Sequence, residues 1–116
     1  MIIPEEGSLL LVNKPKSWTS FDVVNKLRYL LKIKKIGHAG TLDPLASGLL
    51  LIGVGKYTKK LESLQGLDKT YEGIIEIGKT TPSFDLETPF DSSSDYMHVT
   101  PQQIAVAVEA LTGELD

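Results

Sequence analysis

The chain contains no cysteine. That excludes disulfide staples and thiolate metal sites, and it suits a protein of the reducing cytoplasm. Aromatic residues make up only 7%, with one tryptophan, and there are just two histidines, His38 and His98. Long hydrophobic runs are also missing. The longest, residues 49–54, is interrupted by Gly53 and falls far short of the ~20 apolar residues that a membrane-spanning helix needs. The opening MIIPEEGS lacks the basic stretch and apolar core of a secretion signal. Two common enzyme motifs are absent as well. GVGK at 53–56 lacks the Walker A spacing and is followed by Tyr57 where a Ser or Thr belongs, and no G-x-S-x-G elbow occurs. His and Asp residues fall at no diagnostic metal-ligand spacing, so no metal is expected. What is present is 116 residues with 41% hydrophobic content, enough for one domain with a modest core.

The net charge of −3 does not advertise nucleic-acid binding, but its distribution is uneven. Residues 1–60 carry ten Lys/Arg against four Asp/Glu, whereas residues 61–116 carry two against eleven. The first half can therefore set up a local positive field although the total is negative. Lys26, Arg28, Lys32, Lys34 and Lys35 form one basic cluster, and Lys56, Lys59 and Lys60 a second. Solvated helix faces account for such clusters as well as a polyanion partner does.

Periodicity predicts a mixed α/β order of elements. SLLLV at 8–12 reads as a buried strand ended by Asn13-Lys14-Pro15. Thr19 or Ser20 can cap a helix over residues 21–32, with Val23, Val24, Leu27, Leu30 and Leu31 on one face. Residues 33–36 predict a short strand leading into a Gly37–Gly40 turn. Residues 49–54 predict a second buried strand, and residues 57–64 a short helix ending near Gly66. YEGIIEI at 71–77 alternates as a further strand would. Residues 78–95 read as a long loop or a loose hairpin. The last helix has Thr100 as cap, Pro101 at its first position, a stripe of Ile104, Ala107, Val108 and Leu111, and Gly113 as its stop.

The segment GHAGTLDPLASGLLLIGVGK at 37–56 places a lone carboxylate, Asp43, between a glycine-rich turn and an apolar strand. Pro44 fixes its own φ and biases Asp43 away from helix. Asp43 can then be the cap of one helical turn over residues 44–47 closed by Gly48. It can equally be a rigidly presented carboxylate, with Gly37 and Gly40 allowing a ligand or backbone to come close. His38 can act as a base, stack on a base or simply occupy a loop. Tyr71 can be a core or edge aromatic, or a stacking platform for an unpaired nucleobase.

Together these segments resemble the TruB-type tRNA pseudouridine synthases over most of the chain. LLLVNKPKSWTSFDVVNKLR is similar to the family's K-P-x-G-x-[ST]-S motif. GHAGTLDPLASGLL is similar to its catalytic G-x-L-D-P-x-A-x-G-L segment. GVGKYTK resembles the G-x-x-T-K that follows, and DKTYEGIIEIGKTTPSFD the tyrosine strand and T-x-T-x-D loop. Ser17 and Pro82 depart from the pattern, standing where glycine and aspartate are usual.

The resemblance implies a pseudouridine synthase-like mixed sheet flanked by helices, and isomerisation of the T-loop uridine (position 55) of tRNA after the base is flipped out. It makes Asp43 catalytic and has Tyr71 stack on the uracil. His38 would help hold the flipped-out loop, Lys59 would face RNA backbone, and Lys14 with Pro15 would support the catalytic loop. It calls for no metal, nucleotide or redox cofactor, and for tRNA as partner rather than a membrane. Family members continue into a second half that supplies an arginine for the aspartate. Residues 1–116 are accordingly expected to be the N-terminal part of the catalytic domain, inactive alone and prone to self-association. Two other readings share these features: a non-catalytic RNA-binding module, and a synthase working within a guide-RNA particle.

Overall fold

Short apolar runs within the first 54 positions build a three-stranded antiparallel sheet. The computed structural model describes residues 3–115, which form two compact units divided after Tyr71. In the first unit, β1 (Ser8–Lys14) and β2 (Ile36–Ala39) flank a central β3 (Gly48–Val54), giving the order β1-β3-β2. Directly opposed residues of antiparallel strands share a face. The register pairs Leu10 with Ile52, Val12 with Leu50 and Lys14 with Gly48 on one side. It pairs Ile36 with Val54 and His38 with Ile52 on the other. One face thus carries Leu10, Val12, Lys14, Ile36, His38, Leu50, Ile52 and Val54.

Helix α1 (Ser20–Leu31) closes that face, and Val23 and Val24 join Ile36, Leu50, Ile52 and Val54 in the core. Its start is a capping box: Thr19 Oγ1 accepts the Asp22 N–H, and Asp22 Oδ2 accepts the Thr19 N–H. Thr19 is therefore the cap, which releases Ser20 for another role. Lys32 ends the helix in a left-handed conformation, and the Arg28 guanidinium donates to the carbonyls of Lys34 (3.0 Å) and Ile36 (3.1 Å). Those bonds occupy the segment expected to be a strand at 33–36. The strand forms instead at Ile36–Ala39, the residues that reach β3.

On the opposite face, a 3-10 turn (Gly55–Lys60) and α2 (Leu61–Gln65) replace the single helix expected over 57–64. Leu61 and the Tyr57 carbonyl fill the space that side chains at 37 and 53 would take. Gly37 is thus a packing position, not an opening for a ligand. Elsewhere on this face Ala39 is buried and Leu9 and Leu51 are half-buried, while Leu11 and Leu49 are exposed.

The second unit holds a two-residue pairing, β4 (Lys79–Thr80) with β5 (Ser92–Ser93), and α3 (Pro101–Ala110). Polar side chains set its loops: Thr80 bonds to Asp91 and Ser92, and Ser83 to Asp85 and Thr88. The Ser83 hydroxyl and then the Glu87 amide hold the Asp85 carboxyl below its ordinary pKa. Thr100 and Pro101 begin α3 as the sequence predicts, but none of its apolar residues is buried.

The expected strand at 71–77 does not form. Alternation supplies faces but not a partner, and residues 71–77 pair with no strand among the described residues, leaving Ile74 99% exposed. No helix of the described residues is long and apolar enough to cross a membrane.

A Cβ at Gly53 would lie 2.8 Å from the Tyr57 carbonyl oxygen and 3.0 Å from Leu61 Cγ. Gly53→Ala should therefore cost about 1–3 kcal/mol, as overpacking does, read as a lowered urea midpoint. An unchanged midpoint would contradict this packing of α2 on the sheet.

Candidate active site

The β2–β3 connection, residues 40–47, carries Asp43 at its tip, between Gly40 (φ +70°) and Gly48 (φ +132°). Asp43 does not cap a helix. The Ala46 N–H donates to the Asp43 carbonyl at 2.9 Å, a four-residue turn with Pro44 at its second position. The Asp43 side chain is exposed and forms no hydrogen bond or ion pair among the described residues. The backbone on both sides of it is fixed. Before it, the Leu42 N–H donates to the buried Ser20 hydroxyl at 3.1 Å. After it, the Pro44 carbonyl accepts the Ser17 N–H at 2.6 Å and the Lys14 ammonium at 3.3 Å.

Lys14 has 0% exposure although no carboxylate accompanies it. Its Nζ donates to the carbonyls of Trp18 (2.5 Å), Pro15 (3.0 Å) and Pro44 (3.3 Å). Three oriented backbone dipoles replace the hydration that burial removes. Lys14 thus joins the β1–α1 connection to the Asp43 turn. Ser17 sits in that connection at φ +72°, the left-handed region that favours glycine. The departure from the glycine pattern therefore falls where the backbone wants glycine, at a local steric cost.

His38 lies on β2, with its Nδ1 buried and without a hydrogen-bond partner among the described residues. Such an orphan costs about 1–3 kcal/mol, a cost that a water or ligand contact relieves. Lys59 is exposed on the 3-10 turn. Tyr71 is 69% exposed in unpaired backbone, so it is no core aromatic. The structure thus brings Lys14, Ser17, Ser20 and Asp43 together through the turn, and it leaves Tyr71 and Lys59 apart from that network. Arg28, the only arginine in the sequence, is committed to the Lys34 and Ile36 carbonyls. No group of three or more His, Asp or Glu residues among those described is placed to hold a metal ion. Ser20 was legible only as a possible cap, and its bond to a residue 22 positions away leaves no local signal.

Comparison with known proteins bears on this geometry. Residues 28–116 match the family model for the TruB family pseudouridylate synthase (N terminal domain). The chain belongs to the TruB family. A "tRNA pseudouridine synthase B" of Flavobacterium johnsoniae is 52% identical over 118 residues, covering 96% of this chain and 52% of that protein. Proteins of the same name are each 45% identical in Chlorobium luteolum (96% of this chain, 40% of the relative) and Phocaeicola vulgatus (97% and 50%). The chain spans about half the length of the TruB relatives it matches.

Replacing Lys14 by methionine keeps the stem and strands three carbonyls. Lys14→Met should destabilise the complete protein by about 2–5 kcal/mol, since hydrogen bonds to a charged group are each worth about 1.5–3 kcal/mol net. Chemical denaturation measures it. A loss below 1 kcal/mol would show that the ammonium is not what holds the two connections.

Proposed function

We propose that the chain is the N-terminal part of the catalytic domain of a tRNA pseudouridine synthase, and that the complete enzyme converts the T-loop uridine at position 55 to pseudouridine. The observation that carries this reading is an ionisable side chain, Asp43, without a partner among the described residues while the backbone on either side is tied down. Exposed aspartates without a partner are ordinary, as Asp68 shows; what sets Asp43 apart is the fixed backbone on both sides of it. Membership of the TruB family and the names of the relatives support the same reaction class.

The reaction breaks the bond from C1′ to N1 of uracil and forms one from C1′ to C5. The base turns over between the two events, N1 gains a proton and the C5 proton leaves. The target must first be unstacked, at a cost of a few kcal/mol. An Asp43 carboxylate can act as nucleophile or as base at the sugar, and both roles need it ionised and held in register. Lys14, Ser17 and Ser20 supply the holding, which lowers the cost of orientation. An exposed Tyr71 ring offers a face for the flipped uracil, and the half-buried His38, whose Nδ1 is itself covered, is the residue assigned to the displaced loop. Lys59 offers a phosphate contact. No cofactor is needed for this isomerisation, and a tRNA substrate places the work in the cytoplasm. In this reading the arginine that balances Asp43 comes from a second half of the catalytic domain.

Asp43→Asn in the complete protein should abolish release of tritium from tRNA labelled at uridine C5, with tRNA affinity unchanged within a few-fold. The amide keeps the size but neither attacks carbon nor takes a proton. A mutant retaining a substantial share of wild-type rate would overturn the assignment.

Tyr71→Leu should leave folding intact, because the ring is exposed, and should cut the turnover rate severely. Base–aromatic stacking is worth about 1–3 kcal/mol, so affinity should fall only modestly. Near-normal kinetics in the same assay would remove Tyr71 from the site.

A further inference from the structure

Beside the turn that holds Asp43, an open groove of about 460 Å³ runs along the outer face of α1, lined by Ser17, Trp18, Asp22, Asn25, Lys26 and Tyr29. Positions 22, 25, 26 and 29 follow helical spacing, on a different side from the buried Val23 and Val24. The solvent face of a helix needs no aromatic residue for stability, yet Tyr29 is 76% exposed here and Trp18, the only tryptophan, is 37% exposed. Neither belongs to the hydrophobic core. The Lys26 ammonium lies 5.7 Å from the centre of the Tyr29 ring.

The charge of Asp22 is partly spent, because one carboxylate oxygen accepts the Thr19 N–H of the capping box. Lys26 makes no ion pair among the described residues. Two exposed or half-exposed rings lining one groove, with an ammonium that lies over one of them and makes no ion pair among the described residues, match the way single strands are held: bases lie on aromatic faces and a linking phosphate meets a cation. From the start of α1 to Tyr29 the helix rises about 14 Å, longer than one base and suited to a short run of nucleotides. The groove is open and partly polar, unlike the enclosed apolar cavities that take small molecules. One end is anchored to the catalytic turn, since the Ser17 N–H that holds Pro44 sits in the same connection as Trp18.

We propose that this groove is a second RNA-binding subsite, which takes a short unpaired stretch of the substrate tRNA outside the target nucleotide. Bases stack on Trp18 and Tyr29, and the linking phosphate sits at Lys26. The proposal rests on the reading that the protein acts on tRNA. It adds that α1, on the far side of its core face, measures a feature of the RNA and couples it through Ser17 to the turn carrying Asp43.

The test uses the complete protein and an unmodified tRNA transcript, with affinity read by fluorescence anisotropy across a salt series and turnover by tritium release. Trp18→Leu and Tyr29→Ser should each weaken binding about 5- to 160-fold, the range expected for losing one stacked base. Both should raise KM more than they lower kcat. Tyr29→Phe, which keeps the ring, should bind within about twofold of wild type. Lys26→Gln should lower the slope of log affinity against log salt by about 0.7, one single-strand phosphate contact. If wild type turns over tRNA while the Leu, Ser and Gln variants keep its affinity and salt slope, the subsite is overturned and the proposed function stands. If wild type neither binds nor modifies tRNA, both are overturned.

Discussion

A lysine ammonium with no exposure and no counter-charge is the contact on which this arrangement turns. Lys14 survives burial because three backbone carbonyls from two separate connections converge on its nitrogen. Neither neighbouring choice would serve. An apolar residue leaves those carbonyls without a donor, and the planar fork of arginine does not converge on one point. The position of Lys14 depends in turn on the strand register. It is the last inward residue of β1, opposite Gly48, and a slip by one residue would turn it to the other face of the sheet. The packing of Leu10, Val12, Leu50 and Ile52, which fixes that register, therefore also fixes where the Asp43 turn sits.

The costs gather around the same turn. Ser17 adopts a left-handed backbone conformation, and His38, on the strand that leads into the turn, keeps a buried nitrogen without a partner among the described residues. Features of this kind persist where the surroundings over-determine them, and they concentrate at functional sites. The charge pattern is refined by the structure in a similar way. Of the ten cations in the first sixty residues, Lys14 and Arg28 are consumed by backbone carbonyls. The other eight are exposed lysines, so the positive field of this unit rests on side chains free to meet a polyanion.

Much of the fold was legible because its signals are local. Apolar runs marked β1 and β3, Thr19 or Ser20 marked the start of α1, and Thr100 with Pro101 that of α3. The displaced β2 was not legible, since its limits depend on the Arg28 bonds to Lys34 and Ile36 and on Leu61 packing at Gly37. The alternation at 71–77 gave a pattern without an edge to complete it. At the site, Asp43 stood out through Pro44 and the flanking glycines. The bond that fixes Leu42 before it comes from Ser20, whose position in the chain suggested only a cap. Contacts between residues some twenty to thirty positions apart, such as Lys14 with Pro44, leave no periodicity to read.

Asp43 is presented rigidly because the backbone on either side of it is tied to β1 and α1. Amide nitrogen relaxation of the complete protein, read at Leu42, Asp43, Leu45 and Ala46, tests it directly. The account predicts order parameters near 0.85 there, matching the strands, since rigid backbone gives about that value. Values below about 0.6, typical of flexible loops, would contradict it even if every hydrogen bond to the turn were present in a crystal.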